Sequence, residues 1–134
     1  MTIQTALNPF TGDLQLLGTE GGGGGGGTFN WIEGSGSINA VTNKGYFISA
    51  VTNIQLPTTA LLQIGSTLVI YVDTTDTVII QSNSGQFIQY GQSAGAVGGN
   101  LESNTKGSVV QLVFRPNDLT WHTVASEGTW SLQI

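Results

Sequence analysis

The chain reads as all-β, an antiparallel β-sandwich of jelly-roll-like kind, and three observations carry that expectation. Gly, Ser, Thr, Asn and β-branched residues dominate while strong helix formers are thin. Short apolar runs recur between turn residues at intervals of about ten, the rhythm of sandwiches and barrels. Runs such as "TLVIYV" and "TVIIQS" set apolar side chains on both faces of a strand, because neighbours point to opposite sides. A small antiparallel domain normally leaves one face wetted. Either the other sheet of the sandwich or further subunits around a rotation axis must cover the second face.

In chain order, residues 1–19 come first. "NPFTGDLQLLG" carries turn chemistry at Asn8-Pro9 and Thr11-Gly12, then an amphipathic strand through Leu14, Leu16 and Leu17. The peptide is too short to fold alone and is expected to add to another protein as an anchoring strand, with Asn8, Pro9, Phe10, Leu14, Leu16 and Leu17 as its contacts. Residues 20–28 form a linker built on Gly21, Gly22, Gly23, Gly24, Gly25, Gly26 and Gly27. Seven glycines behave as a flexible coil spanning about 15 Å, or up to about 23 Å extended. An ordered bundle of polyproline-II-like strands from neighbouring chains is the alternative.

Residues 29–134 form the head. Its predicted strands are "GYFISAV" (45–51), "TLVIYVD" (67–73), "TVIIQS" (77–82), "QFIQY" (86–90), "SVVQLVF" (108–114), "TWHTVAS" (120–126) and "GTWSLQI" (128–134). The clusters "TNKG", "LPTT", "DTTD", "SNSG", "SNTKG" and "RPND" punctuate them, each rich in turn-forming Asn, Gly, Pro or Asp. Only "TALLQIG" (59–65) suits a helical turn. Trp31, Trp121 and Trp130 lie in apolar alternating runs and are assigned to the core, Tyr46, Phe47 and Tyr71 to the core or a subunit interface. The apolar end at Trp130, Leu132 and Ile134 suggests a terminus held inside an assembly.

Composition narrows the function. Charged residues are 8% of 134, against about 25% in an ordinary domain, so the surface is polar and nearly neutral. Three basic residues, Lys44, Lys106 and Arg115, face eight acidic ones for a net charge of −5, which lacks the basic footprint that nucleic acid demands. With no cysteine, disulfides, thiolate metal sites and a cysteine nucleophile are excluded. "MTIQTALNPF" has no basic start or long apolar run, and no segment approaches the roughly 18 apolar residues of a membrane span, so membrane insertion is not expected.

The stretch "INAVTNKGYFISAVTNIQLPTTALLQIGSTLVIYVDTTDTVIIQSNSGQFIQYG", with "GGNLESNTKGSVVQLVF" and the closing "WHTVASEGTWSLQI", resembles the distal β domains of bacteriophage tail fibres and related virion fibre proteins. The resemblance covers about residues 38–134. It implies a homotrimer that binds host-surface glycans or proteins. "LNPFTGDLQLLG" is similar to short segments of phage structural proteins that dock onto the particle, at the capsid, neck or tail. The chain departs from the pattern in lacking a long fibrous shaft, in whose place the glycine run stands. A virion protein assembled in the host cytoplasm is thus implied, as an adhesin or as a decoration protein with no receptor.

"GQSAG" (91–95) matches the G-x-S-x-G nucleophile elbow, and Asp118 and His122 follow Ser93 in hydrolase order. The elbow needs a strand running into a helix, whereas "AVGGNLESNTKG" is helix-poor. No catalytic residue, metal or cofactor is therefore assigned, and few ionisable groups are available to a glycan-degrading enzyme. Asp73 and Asp76 in "DTTD" could face calcium but suit a hairpin loop better. For a glycan, an exposed aromatic and planar amides are the useful groups, and Tyr90, Gln92 and Asn100 lie in or beside the longest loop-like stretch, "YGQSAGAVGGNLESNTKG".

Overall fold

Alternation of period two writes itself directly into the backbone. A computed structural model describes residues 29–134, together with the backbone of two short strands, β1 (Leu7–Asn8) and β2 (Asp13–Leu14), which pair antiparallel. The linker Gly21–Gly27 and the anchoring residues Pro9, Phe10, Leu16 and Leu17 lie outside the described residues. In the head the strands are β3 (Asn30–Asn39), β4 (Lys44–Gln55), β5 (Thr67–Val72), β6 (Val78–Gln81), β7 (Phe87–Tyr90), β8 (Ser93–Ala94), β9 (Asn100–Ser103), β10 (Val109–Arg115), β11 (Thr120–Glu127) and β12 (Ser131–Leu132). A 3₁₀ turn at Thr59–Leu61 falls within the segment expected to be helical, and a second lies at Pro116–Asp118.

The all-β expectation holds, but the sheet is mixed rather than antiparallel. β3 runs parallel to β4 along its length, and β4 runs parallel to β5 over Lys44–Ile48 and to β6 over Thr52–Gln55. The ends of β4 lie close together: Asn43 N–H, next to its start, donates to Thr67 O, and Ala40 N–H donates to Gln55 O at its finish. Twelve extended residues would span about 40 Å, so β4 doubles back through 49–51. The same bend recurs at Gly34–Gly36 in β3, at 73–77 between β5 and β6, at 104–108 between β9 and β10, and at 128–130 between β11 and β12. The head is therefore a stack of five arches joining two layers. One layer holds the first halves of β3 and β4 with β5, β10, β11, β7 and β8; the other holds their second halves with β6, β9 and β12. Antiparallel pairing holds where the β9–β10 arch stacks on β5–β6 and β11–β12 stacks on it, and fails for β3, β4 and the β5–β6 arch, each of which stacks on the one before in the same direction.

Parallel stacking lines residues up in rows. Facing inward are Tyr46 and Ile70, with Ile32 in the same row but 41% exposed at the edge; then Ile48 and Val72; then Thr52 and Val78; then Ile38, Ile54 and Ile80. Ile48, Ile54, Ile70, Val72, Val78 and Ile80 are wholly buried, and Leu68, Leu101, Leu112, Phe114 and Trp121 complete the core. Tyr46, Trp121 and Trp130 are buried as expected. Trp31 is not: it is 47% exposed. Its ring lies over Gly45, where a Cβ would approach it to 2.6 Å, outside the sheet rather than beneath it. Of the apolar carboxyl end, Trp130 is buried and Leu132 packs on the core, while Ile134 is 82% exposed. The two layers nearly close into a barrel, since Ala96 N–H, just past β8, donates to Gln133 O beside β12. Within the described residues β3 is left as the free lateral edge.

Candidate functional site

The outer faces of the two layers differ in chemistry, and the registers show how. On the layer of β6, β9 and β12, the outward rows are Ser37, Asn53, Ile79, Glu102 and Ser131, and Asn39, Gln55, Gln81 and Asn100. This face is almost wholly polar, and its amides are tied down: Gln55 Nε2 donates to Gln81 O at 3.1 Å and Gln81 Nε2 to Gly98 O at 2.5 Å. At its arch end a shallow recess of about 130 Å³ is lined by Thr77, Glu102, Ser103, Asn104, Thr129 and Ser131.

The layer of β5 and β10 presents the opposite character. Its outward rows are Glu33, Phe47, Tyr71 and Val109, and Trp31, Gly45, Val69 and Gln111. Trp31 and Phe47 sit with ring centroids 4.7 Å apart, and Phe47 meets Tyr71 edge-on at 5.4 Å. The aromatics form one continuous ridge because Gly45 leaves room for the Trp31 indole to lean across. Trp31 stays 47% and Phe47 37% exposed, with Val51 at 61% on the neighbouring bend. At the 150–250 Å² that an aromatic side chain can bury, these two rings leave about 200 Å² open, worth about 5 kcal/mol per copy if covered. A patch of this size lies within the range that monomeric proteins expose.

No family model matches the chain, and no curated protein is similar to it.

The residues named for glycan contact fall at two ends. Tyr90 closes β7, packs against the core with its ring, and accepts a hydrogen bond from Ser126 Oγ at 3.4 Å. Gln92 lies at the exposed tip of the β7–β8 hairpin, which points toward the arches. From there the chain returns along β7, with Gly95 N–H donating to Ile88 O and Gly98 N–H to Gln86 O. Asn100 therefore starts β9 at the other end, half-buried beside Gln81. The structure brings Tyr90 and Gln92 together and leaves Asn100 apart.

Asp118 and His122 do meet: His122 Nε2 stands 3.1 Å from Asp118 Oδ2, which also accepts from Arg115 Nη2 at 2.6 Å. The Arg115 guanidinium, through that hydrogen bond first, holds the Asp118 carboxyl well below the usual carboxylate range, helped by the His122 contact. Ser93 is not with them. It pairs with Tyr90, whose ring faces the core, whereas His122 pairs with outward Gln89. Ser93 and His122 thus project to opposite faces of strands two apart, and no serine–histidine pair forms. Asp73 lies 3.6 Å from Lys106 Nζ, and Asp76 N–H donates to Thr74 Oγ1 at 3.0 Å, both within the 73–77 arch. Among the described residues no group of three or more metal-ligating side chains gathers.

The aromatic ridge is an exposed surface only partly legible in the sequence. Apolar residues on both faces of "TLVIYV" signal it, but alternation alone places Trp31 inward. The overlooked signal is Gly45 between Lys44 and Tyr46, a gap that a ring from the adjoining strand can fill.

Proposed function

We propose that this chain is a structural protein of a bacteriophage particle: a β head, assembled as a homotrimer, carried on residues 1–19 through the glycine run, with recognition of the host surface as its task. One observation carries the assembly: a layer whose outer face is a row of aromatics and valines, on a molecule whose other outer face is polar. The likeness of residues 38–134 to fibre heads and of "LNPFTGDLQLLG" to docking peptides supplies the setting. The exposed tip of the β7–β8 hairpin at Gln92, aimed away from the point where the chain enters at Asn30, supports host-glycan contact there, with the Tyr90 ring packed on the core behind it. The polar recess near Glu102 and Asn104 lies toward the same end.

The test has two arms. Deleting residues 1–19 is expected to abolish incorporation into particles while leaving the head folded by circular dichroism; normal incorporation refutes the anchor. Binding of the whole protein to host cells, competed by extracted surface polysaccharide, is expected to be saturable. A particle that carries the protein but adsorbs equally well without it makes it a decoration protein instead.

A further inference from the structure

We propose that the polar recess at the arch end of the β6–β9–β12 face is a binding site for a single uncharged sugar ring. The inference deepens the host-recognition reading and rests on it, naming where a glycan unit seats and of which class it is. Register builds the recess. Glu102 on β9 stands between Ile79 of β6 and Ser131 of β12. The next outward positions toward the arches are Thr77, Asn104 and Thr129, and these, with Glu102, Ser103 and Ser131, line about 130 Å³.

Two properties set this group apart from the rest of the face. Toward the entry end of the same layer the amides of Gln55, Gln81 and Asn83 are engaged with backbone carbonyls. Among the described residues, by contrast, the side chains of Thr77, Glu102, Asn104, Thr129 and Ser131 bond to no other group of the head. Their backbone is nevertheless pinned: Thr52 N–H donates to Thr77 O at 3.2 Å, Thr105 N–H to Ser103 Oγ at 3.2 Å and Thr129 N–H to Ser108 Oγ at 3.0 Å. Trp130 Nε1 donates to Val109 O and Glu127 O, which fixes the arch between Thr129 and Ser131. Ser103 is 5% exposed, and no described residue accepts its proton, so its hydroxyl is free to donate into the recess. Donors and acceptors held in place before a ligand arrives reduce the ordering cost of binding.

The lining selects the ligand. Hydroxyls, one amide and one carboxylate exchange hydrogen bonds with a polyol, and no apolar side chain is present to receive a peptide's. A lone carboxylate is too small a donor set for a divalent cation. Glu102 itself and a net charge of −5 oppose an acidic sugar, while Lys106, on the neighbouring arch, stands against Asp73. An uncharged sugar fits: two adjacent hydroxyls can donate to the two oxygens of Glu102 while Ser103, Asn104 and Ser131 meet the others. The volume is well below the roughly 300–1,000 Å³ of sites for drug-sized ligands, so the recess takes one ring, at the end or on a side branch of a glycan.

The experiment titrates the isotope-labelled full chain with glucose, galactose, N-acetylglucosamine and glucuronic acid, and follows backbone amide shifts by NMR. At least one neutral sugar is expected to shift Glu102, Asn104, Thr129 and Ser131 saturably, with a millimolar Kd, and glucuronic acid to leave them unmoved. Glu102→Gln keeps the size of the side chain but removes the charged acceptor, and is expected to weaken that binding about tenfold; Ser84→Ala, in an exposed turn at the entry end, is expected to leave it unchanged. Should Glu102→Gln fail to fold, Asn104→Ala at an exposed position reads the same loss. Shifts confined to the β7–β8 hairpin, or none with any neutral sugar while the protein still binds host cells saturably, overturn the recess and leave host recognition standing. Absence of both sugar shifts and cell binding overturns the two together. An equal response to glucuronic acid overturns the selection for uncharged rings, and shifts of the same residues with calcium chloride alone make the recess a cation site, which also overturns the proposal.

Discussion

Replacing Gln86 by methionine tests whether the entry end of the barrel is held by hydrogen bonds or by packing. Gln86 is wholly buried. Its Oε1 accepts from Trp121 Nε1 at 3.1 Å and from Asn83 N–H at 2.9 Å, while its Nε2 donates to Pro57 O at 2.9 Å and Thr59 Oγ1 at 3.2 Å. One amide thus ties the loop after β4, the turn before β7 and the core indole on β11. Gln86→Met keeps the length and nearly the volume, a change that by packing alone is worth less than about 1.5 kcal/mol. It strands the Trp121 N–H and the Pro57 carbonyl, both buried, at about 1–3 kcal/mol each, so we expect a loss of about 3–4 kcal/mol. For a domain of this size that corresponds to a fall in Tm of roughly 12–16 °C, read by near-ultraviolet circular dichroism. Gln86→Glu should be worse near neutrality, since it buries a charge, and should recover partly in acid, where a protonated carboxyl can again donate. A fall below about 5 °C for Gln86→Met, with no pH contrast in Gln86→Glu, refutes the hydrogen-bond account.

Two further changes probe other parts of the fold. Gly128 has φ of +88°, and a Cβ there would lie 2.6 Å from Ser108 Cα, so Gly128→Ala combines left-handed strain with backbone overlap between stacked arches; a loss of about 2–4 kcal/mol is expected in urea melts, and a loss under about 1 kcal/mol would show that the arches slide freely. Because the folded Asp118 carboxyl sits below its unfolded value, its contribution to stability is present above about pH 4 and lost as pH falls through the depressed folded value. Asp118→Asn should flatten the acid limb of the stability curve, and an unchanged limb below pH 4 would mean that the Arg115 contact is absent in solution.

The strand positions were legible because inward positions carry apolar groups at every second residue. "TLVIYV", "SVVQLVF" and "TWHTVAS" match β5, β10 and β11 to within a residue or so. What alternation cannot express is a bend. β4 keeps one uninterrupted period of two through Tyr46, Ile48, Thr52 and Ile54 while passing from one layer to the other, so its doubling back, and with it the parallel pairing, leaves no mark in the pattern. β3 escaped because "NWIEGSGSIN" has few inward apolar residues: it is the last arch and covers the core from one side only. β9 escaped because its outward residues, Asn100 and Glu102, are polar on a polar face. For the candidate surface, apolar residues on both sides of β5 showed that something covers the sheet, but the membership of Trp31 depended on a cross-strand neighbour, Gly45, that register alone supplies.

The parallel alignment of β3 on β4 also decides how the head answers mechanical load. A pull on the amino-terminal segment, directed away from the head along the strands, draws β3 lengthwise past β4. The load then falls on the whole ladder from Asn30 to Asn39 at once, in shear, instead of opening its hydrogen bonds one after another as a hairpin pulled at its open end would. The bend at Gly34–Gly36 adds a hook, because the second half of β3 must turn the corner of the arch before it can follow the first. Force entering at residue 29 is thus shared along the length of β3 before the first arch lets go.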